Sequence, residues 1–174
     1  MLGELFTKPT IIFGCGNILL GDDGFGPAVV EHLNATSCLP DSVFAVDVGT
    51  SLSDLLFDFL LANVKPFSLF IVDAASLPQY RPGELFELGV EQLPDNKSCD
   101  FSLHQFPAVN LLKELKERAG VKVRILAVQA KEIPEAVCQG LSPEVEAAVP
   151  IACRWLLERL SDGAEISERH SHAD

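Results

Sequence analysis

The chain has 174 residues, 48% of them hydrophobic, and a formal net charge of −12 from 25 acidic and 13 basic side chains. That length suits one domain with a substantial core. The charge argues against binding a nucleic-acid backbone or an anionic membrane surface, both of which need clustered Lys and Arg.

The first apolar run, Thr10-Ile11-Ile12-Phe13-Gly14, predicts a buried strand. A glycine-rich turn from Gly14 to Gly26 follows and carries the adjacent acids Asp22 and Asp23. Strand, glycine loop and helix in succession normally describe a phosphate cradle. Two carboxylates repel phosphate and attract cations, so this turn suits a metal ion better than a nucleotide. A helix is expected over Pro27–Asn34, because Pro27 has no N–H to lose in a first turn. Val43–Val48 predicts a second strand. Leu52–Asn63 predicts a helix with Leu52, Leu55, Leu56, Phe59 and Leu60 on one face. Ser68–Val72 is almost wholly apolar, as in a parallel strand covered on both faces.

Pro78 and Pro82 mark a loop before a short edge strand at Glu84–Leu88. A helix over Pro107–Arg118 would bury Ala108, Leu111, Leu112, Leu115 and Ala119, and Val121–Val128 would be the fifth strand. Ser142, Pro143 and Glu144 are N-cap, first residue and first-turn acid of a last helix. Its stripe is Val145, Ala148, Val149, Ala152, Leu156 and Leu160, and Pro150 is expected to kink it. No repeat or linker divides the chain. Residues 1–162 are expected to form one domain, and 163–174 a polar, disordered tail.

This alternation predicts an α/β fold: a three-layer sandwich with a mostly parallel, twisted five-stranded sheet and helices on both faces. Five cysteines lie at positions 15, 38, 99, 138 and 153 without a C-x-x-C pair or a signal peptide, so reduced thiols and a cytoplasmic location are expected. The apolar run Leu55–Leu61 is broken by Asp58 and is too short to span a bilayer.

Ligands of such sheets bind beyond the carboxyl ends of the strands. Asp22 and Asp23 follow the first strand, Asp47 ends the second and Asp73 ends the third, so all face one cleft in this reading. His104 lies before the third helix between Ser102 and Gln105, which have capping-box spacing; Pro107 conflicts with so early a helix start. One His and two carboxylates hold a divalent metal and leave positions open for substrate. H-E-x-x-H and G-x-S-x-G are both absent. Each residue also has a structural reading. Asp23 suits a helix cap, Asp73 a turn, His104 a helix start and Cys15 a small buried position. His32 reads as a boundary residue, and His170 and His172 lie in the tail.

Taken together, these segments resemble the hydrogenase maturation proteases, endopeptidases that trim the C-terminal tail of the large subunit of nickel–iron hydrogenases. Gly14-Cys15-Gly16-Asn17-Ile18-Leu19-Leu20-Gly21-Asp22-Asp23-Gly24 resembles the family's first turn. Asp47-Val48-Gly49-Thr50, Ile71-Val72-Asp73-Ala74, Ser102-Leu103-His104-Gln105 and Gly140–Glu146 resemble its later motifs in order. The resemblance runs from Ile11 to about Leu160. It implies catalytic and metal-ligating roles for Asp23, Asp73 and His104. Many members have Glu where this chain has the shorter Asp23, which leaves Asp22 and Asp23 both open as the first ligand. The wording Gly-Asp-Asp-Gly-Phe-Gly-Pro is most similar to members serving the coenzyme F420 (deazaflavin)-reducing hydrogenases of methanogens.

The resemblance further implies nickel as the metal, supplied by the hydrogenase large-subunit precursor, with other divalent metals able to occupy the site. In that reading the cation polarises the scissile carbonyl, orients a water or docks the substrate, and a free carboxylate acts as base. The Gly49-Thr50 region and the Leu77–Arg81 loop are expected to shape the peptide groove. A monomer suffices for this chemistry, with no nucleic-acid or membrane partner. The competing readings are a non-catalytic nucleotide-binding module built on the glycine loop and an assembly chaperone that binds the large subunit without cutting it.

Overall fold

The computed structural model describes residues 7–36, 39–93, 100–101 and 106–170. Its strands are β1 (Thr10–Cys15), β2 (Val43–Gly49), β3 (Ser68–Ser76), β4 (Leu85–Leu88), β5 (Asp100–Phe101) and β6 (Lys122–Gln129). Its α-helices are α1 (Phe25–Ala35), α2 (Leu52–Leu61), α3 (Phe106–Glu117) and α4 (Pro143–His170). The main sheet runs in the order β2-β1-β3-β6-β4, and the two-residue β5 pairs with β3. β1, β2, β3 and β6 are mutually parallel, and β4 runs antiparallel along the edge of β6. The mostly parallel five-strand sheet expected from the alternation of elements is therefore present, with β5 as an addition.

Alternation within the central strands divides the core into two layers. Ile11, Phe13, Leu69 and Ile71 pack on one face with Leu56 and Phe59 of α2 and Leu112 and Leu115 of α3. Ile12, Phe70 and Val72 pack on the other with Val29 and Leu33 of α1 and Val145, Ala152 and Leu156 of α4. A central parallel strand has no solvated face, so its residues are apolar throughout. α4 continues through Pro150 on its exposed side, where the carbonyl that proline leaves unpaired can be hydrated. It also continues through Gly163 to His170, over a polar segment rich in helix-forming Ala, Glu and Arg.

Two local departures from the sequence reading, and one helix start that agrees with it within a residue, bear on the site. α1 starts at Phe25 and is preceded by a 3₁₀ turn over Gly21–Gly24, so its N-cap is Gly24 and no side chain caps it. β3 does not end before Asp73 but runs on to Ser76, because β6 stays paired with it as far as Ala75. α3 starts at Phe106, which puts Pro107 in the first turn, where a missing N–H costs no helical bond.

The chain reverses its lateral direction between β2 and β3, which lie on opposite sides of β1. In open α/β sheets such a switch point, at the carboxyl ends of β1 and β3, is where ligands bind. Glycines let α1 start directly against it. A Cβ on Gly26 would lie 2.3 Å from Cys15 O and 2.4 Å from Val72 O, and one on Gly14 would lie 2.4 Å from Gly26 O. These neighbours are backbone and cannot turn aside. Gly26→Ala is accordingly expected to lower stability by about 3 kcal/mol, read as a shift of the denaturation midpoint without a change in slope. An unchanged midpoint would show that α1 has freedom to retreat from the sheet.

Candidate active site at the switch point

The acidic turn is a folded knot. Gly16 has φ +122°, and a Cβ there would come within 1.8 Å of Asp23 O, so only glycine fits. Asn17 Oδ1 accepts from Leu19 N–H at 3.0 Å, and Asn17 O accepts from Leu20 N–H at 3.0 Å. Gly16 N–H donates to Gly49 O at 3.0 Å and ties the turn to the end of β2. The two acids inside this knot are both buried, but they do different work.

Asp22 is 1% exposed and its carboxylate is saturated. Oδ2 accepts from Lys131 N–H at 2.8 Å, from Glu132 N–H at 3.2 Å and from the Ser142 hydroxyl at 3.0 Å. Oδ1 accepts from Ser142 N–H at 2.6 Å. One side chain thus fastens the turn after β1 to the connection leaving β6 and to the start of α4. The negative charge also lies at the positive end of that helix. Ser142 holds the N-cap position expected of it, yet its hydroxyl donates to Asp22.

Asp23 is 2% exposed, and its Oδ2 accepts from Asn17 N–H at 2.7 Å. It is not the cap of α1, a role that falls to Gly24. Asp73 is fully buried inside β3, one residue beyond the last pair that β3 makes with β1. It is therefore not a turn residue. Its Oδ1 accepts from Ala74 N–H at 2.8 Å, and its Oδ2 is buried with no hydrogen-bond partner among the described residues. Burial holds the Asp73 carboxyl well above the usual carboxylate range, Ala74 N–H pulls it down in part, and the nearby Asp23 charge raises it further. An unpartnered buried carboxylate oxygen beside a second carboxylate is costly unless a proton or a cation joins it.

Cys15 ends β1 close to these acids. Burial, then the charges of Asp73, Asp47 and Asp23, push its thiol well above the ordinary value. A thiol held protonated is a poor nucleophile, which favours the packing reading of Cys15. Asp47 is exposed at the end of β2 and turns back so that its Oδ1 accepts from Gly49 N–H at 2.8 Å.

His104, Ser102 and Gln105 lie outside the described residues, as does the segment that would show their capping-box pairing. α3, which begins at Phe106, packs on the sheet face shared by alternate β3 residues Leu69, Ile71 and Ala75, the set to which Asp73 belongs. Among the described residues, no group of three or more His, Cys, Asp or Glu is placed to hold a metal ion. Asp23 and Asp73 offer two carboxylates, one with an open oxygen. Such a hard, anionic pair suits a divalent cation.

The hydrogenase maturation protease family model matches residues 27–159. The chain belongs to that family. It is 32% identical to the hydrogenase 2 maturation protease of Escherichia coli, over 94% of this chain and 98% of that protein. It is also 32% identical to the coenzyme F420 hydrogenase subunit delta of Methanothermobacter thermautotrophicus, over 86% of this chain and 93% of that protein. The solved structure of the hydrogenase maturating endopeptidase HybD from E. coli superposes with a TM-score of 0.72 and 30% identity, covering 90% of this chain and 94% of that one. No described helix of this maturation protease is long and apolar enough to cross a membrane.

Two features of the site had no sequence signal. Asp22 bonds to residues 109 to 120 positions away, a distance at which no local pattern reports. Gln129, also buried, accepts from Leu77 N–H at 2.8 Å through Oε1 and holds the loop after β3. Its place at the end of the apolar run Ile125–Val128 gave no hint of that bond.

Proposed function

We propose that this protease is a cytoplasmic, metal-dependent endopeptidase that removes the C-terminal extension of a nickel-loaded large-subunit precursor of a nickel–iron hydrogenase. Asp23, Asp73 and His104 read the metal that the precursor carries, so the enzyme is empty at rest and cuts only a loaded substrate. One observation carries this reading: the fully buried Asp73 Oδ2 beside Asp23 at the switch point, which has no hydrogen-bond partner among the described residues. A site that is unfavourable without a cation favours the loaded precursor over the unloaded one by the free energy of that neutralisation.

In this scheme Asp22 takes no part in ligation, since all four of its hydrogen bonds would have to be surrendered first. Asp23 and Asp73 orient the metal-bearing end of the substrate at the switch point. A carboxylate released from the cation accepts the proton of the attacking water. The protein acts as a single folded unit, and a monomer suffices.

The test is the intact mass of a nickel–iron hydrogenase large-subunit precursor after incubation with this protein, with and without nickel. Loss of a C-terminal peptide is expected only with nickel, and not with His104→Ala, which should keep the wild-type melting temperature. Equal cleavage by that variant, or cleavage of the nickel-free precursor, contradicts the scheme.

A further inference from the structure

A groove of about 900 Å³ runs along α1 and the edge strand β2 and ends at the acidic turn, where Ile18, Gly21 and Gly24 line it. It is not bordered by Thr50 or by Leu77–Arg81, where the sequence placed the peptide path. Its far wall is β2, the outermost strand of the sheet on this side. Thr10 N–H donates to Ser42 O, so by alternation Phe44 and Val46 turn their peptide groups toward β1. Val43, Ala45 and Asp47 turn theirs outward into the groove.

That outward edge is closed at one end and open at the other. Val43 N–H is taken by Pro40 O at 2.9 Å, and Ala45 O accepts from Asn34 Nδ2 at 3.3 Å. Natural sheets blunt their edges in this way against unwanted pairing. The Asp47 peptide, nearest the acidic turn, faces outward beyond these two blocks. The charged side chains lining the groove are Glu31, Asp41 and Asp47 against Lys8 alone, and none of the three carboxylates is in an ion pair with a described residue. Ile18, 58% exposed, stands at the mouth.

We propose that this groove receives the precursor's C-terminal extension as an extended, basic segment that enters at Ile18 and Asp47 and runs along β2 toward Asp41. This rests on the endopeptidase reading and deepens it by naming what recognises the part to be removed. Three observations select the occupant. The groove reaches the acidic turn, which it borders through Gly21 and Gly24 on either side of the two buried acids. It is a slot between a helix and a strand edge, and so takes a single extended chain and not the folded body of the precursor. Its surplus of carboxylates selects Lys and Arg.

The experiment compares wild-type protein with the double variant Glu31→Lys/Asp41→Lys, both positions lying away from the acidic turn. With a nickel-loaded precursor whose extension is basic, KM is expected to rise about tenfold while kcat stays within about twofold, as for two exposed charge pairs turned repulsive. A precursor whose extension lysines and arginines are changed to glutamate should recover a low KM with the double variant only. Unchanged KM in the double variant overturns the docking proposal and leaves the protease standing.

Binding is read separately with a short capped peptide alternating lysine with leucine, added to isotope-labelled protein without any precursor. Amide shifts are expected at Glu31, Asn34, Asp41 and Asp47, weakened by salt, with none from the glutamate counterpart. Such shifts without cleavage of any precursor would sink the endopeptidase reading and keep the groove as a basic-peptide site. Shifts elsewhere, or none, sink the groove.

Discussion

Asp73→Asn is expected to stop processing of the nickel-loaded precursor, by on the order of 100-fold or more, while leaving the protein as stable as wild type or more so. The amide is isosteric, and its oxygen still accepts from Ala74 N–H. What it removes is a buried carboxyl whose ionisation the fold opposes and whose Oδ2 has no partner among the described residues. The pH dependence gives this a signature. The folded-state carboxyl titrates well above its unfolded value, through burial first and Asp23 as a further cause. Above the ordinary carboxylate pKa, about 3.9, the unfolded chain has released a proton that the native protein still binds. Stability therefore falls as pH rises from there through the raised native value. In metal-free buffer, wild-type melting temperature should show that decline, and Asp73→Asn should lack it. A variant that melts lower than wild type at neutral pH, or that still cleaves, would show that Asp73 is a structural acid.

Asp22→Asn is expected to do the reverse, costing about 3 kcal/mol or more of stability. Asp22 Oδ1 faces one N–H donor, and Oδ2 faces two N–H donors and a hydroxyl. Whichever way an amide is placed, its NH₂ confronts at least one backbone N–H, and a hydrogen bond becomes a repulsion. Asp22→Ala leaves all four donors without their partner and should be worse still. Asp23→Asn, at the neighbouring position, should lose activity with a smaller change in melting temperature. Equal destabilisation by Asp22→Asn and Asp23→Asn, read by chemical denaturation, would refute this division of labour between adjacent acids.

That division shows where the sequence stopped being legible. Adjacent acids in a glycine turn pointed to a cation, and the spacing was equally compatible with either as the ligand. Only the fold brings the Lys131–Glu132 amides and Ser142 onto Asp22 and leaves Asp23 turned toward Asn17. The reading of Asp73 as a strand-end residue came from the apolar run stopping at Val72. In the structure β3 runs four residues further, to Ser76, because β6 and β5 pair with its extension while β1 does not. The acid thereby becomes a buried strand residue at the switch point. His104 was singled out by its place before a helix and lies outside the described residues, so its part in the site rests on the family pattern.

Apolar runs, helical stripes and turn chemistry were sufficient to specify the layered α/β sandwich, since each records a local preference or a one-sided burial along contiguous residues. The same local record supplied the cation-attracting turn and the motif order of the maturation proteases. The order β2-β1-β3-β6-β4, the switch point between β1 and β3, the anchoring by Asp22 and the orphaned oxygen of Asp73 came from contacts between distant segments. Those contacts are made when two apolar faces of the sheet are covered at once, and desolvation then separates one buried carboxylate with four donors from another with an open oxygen.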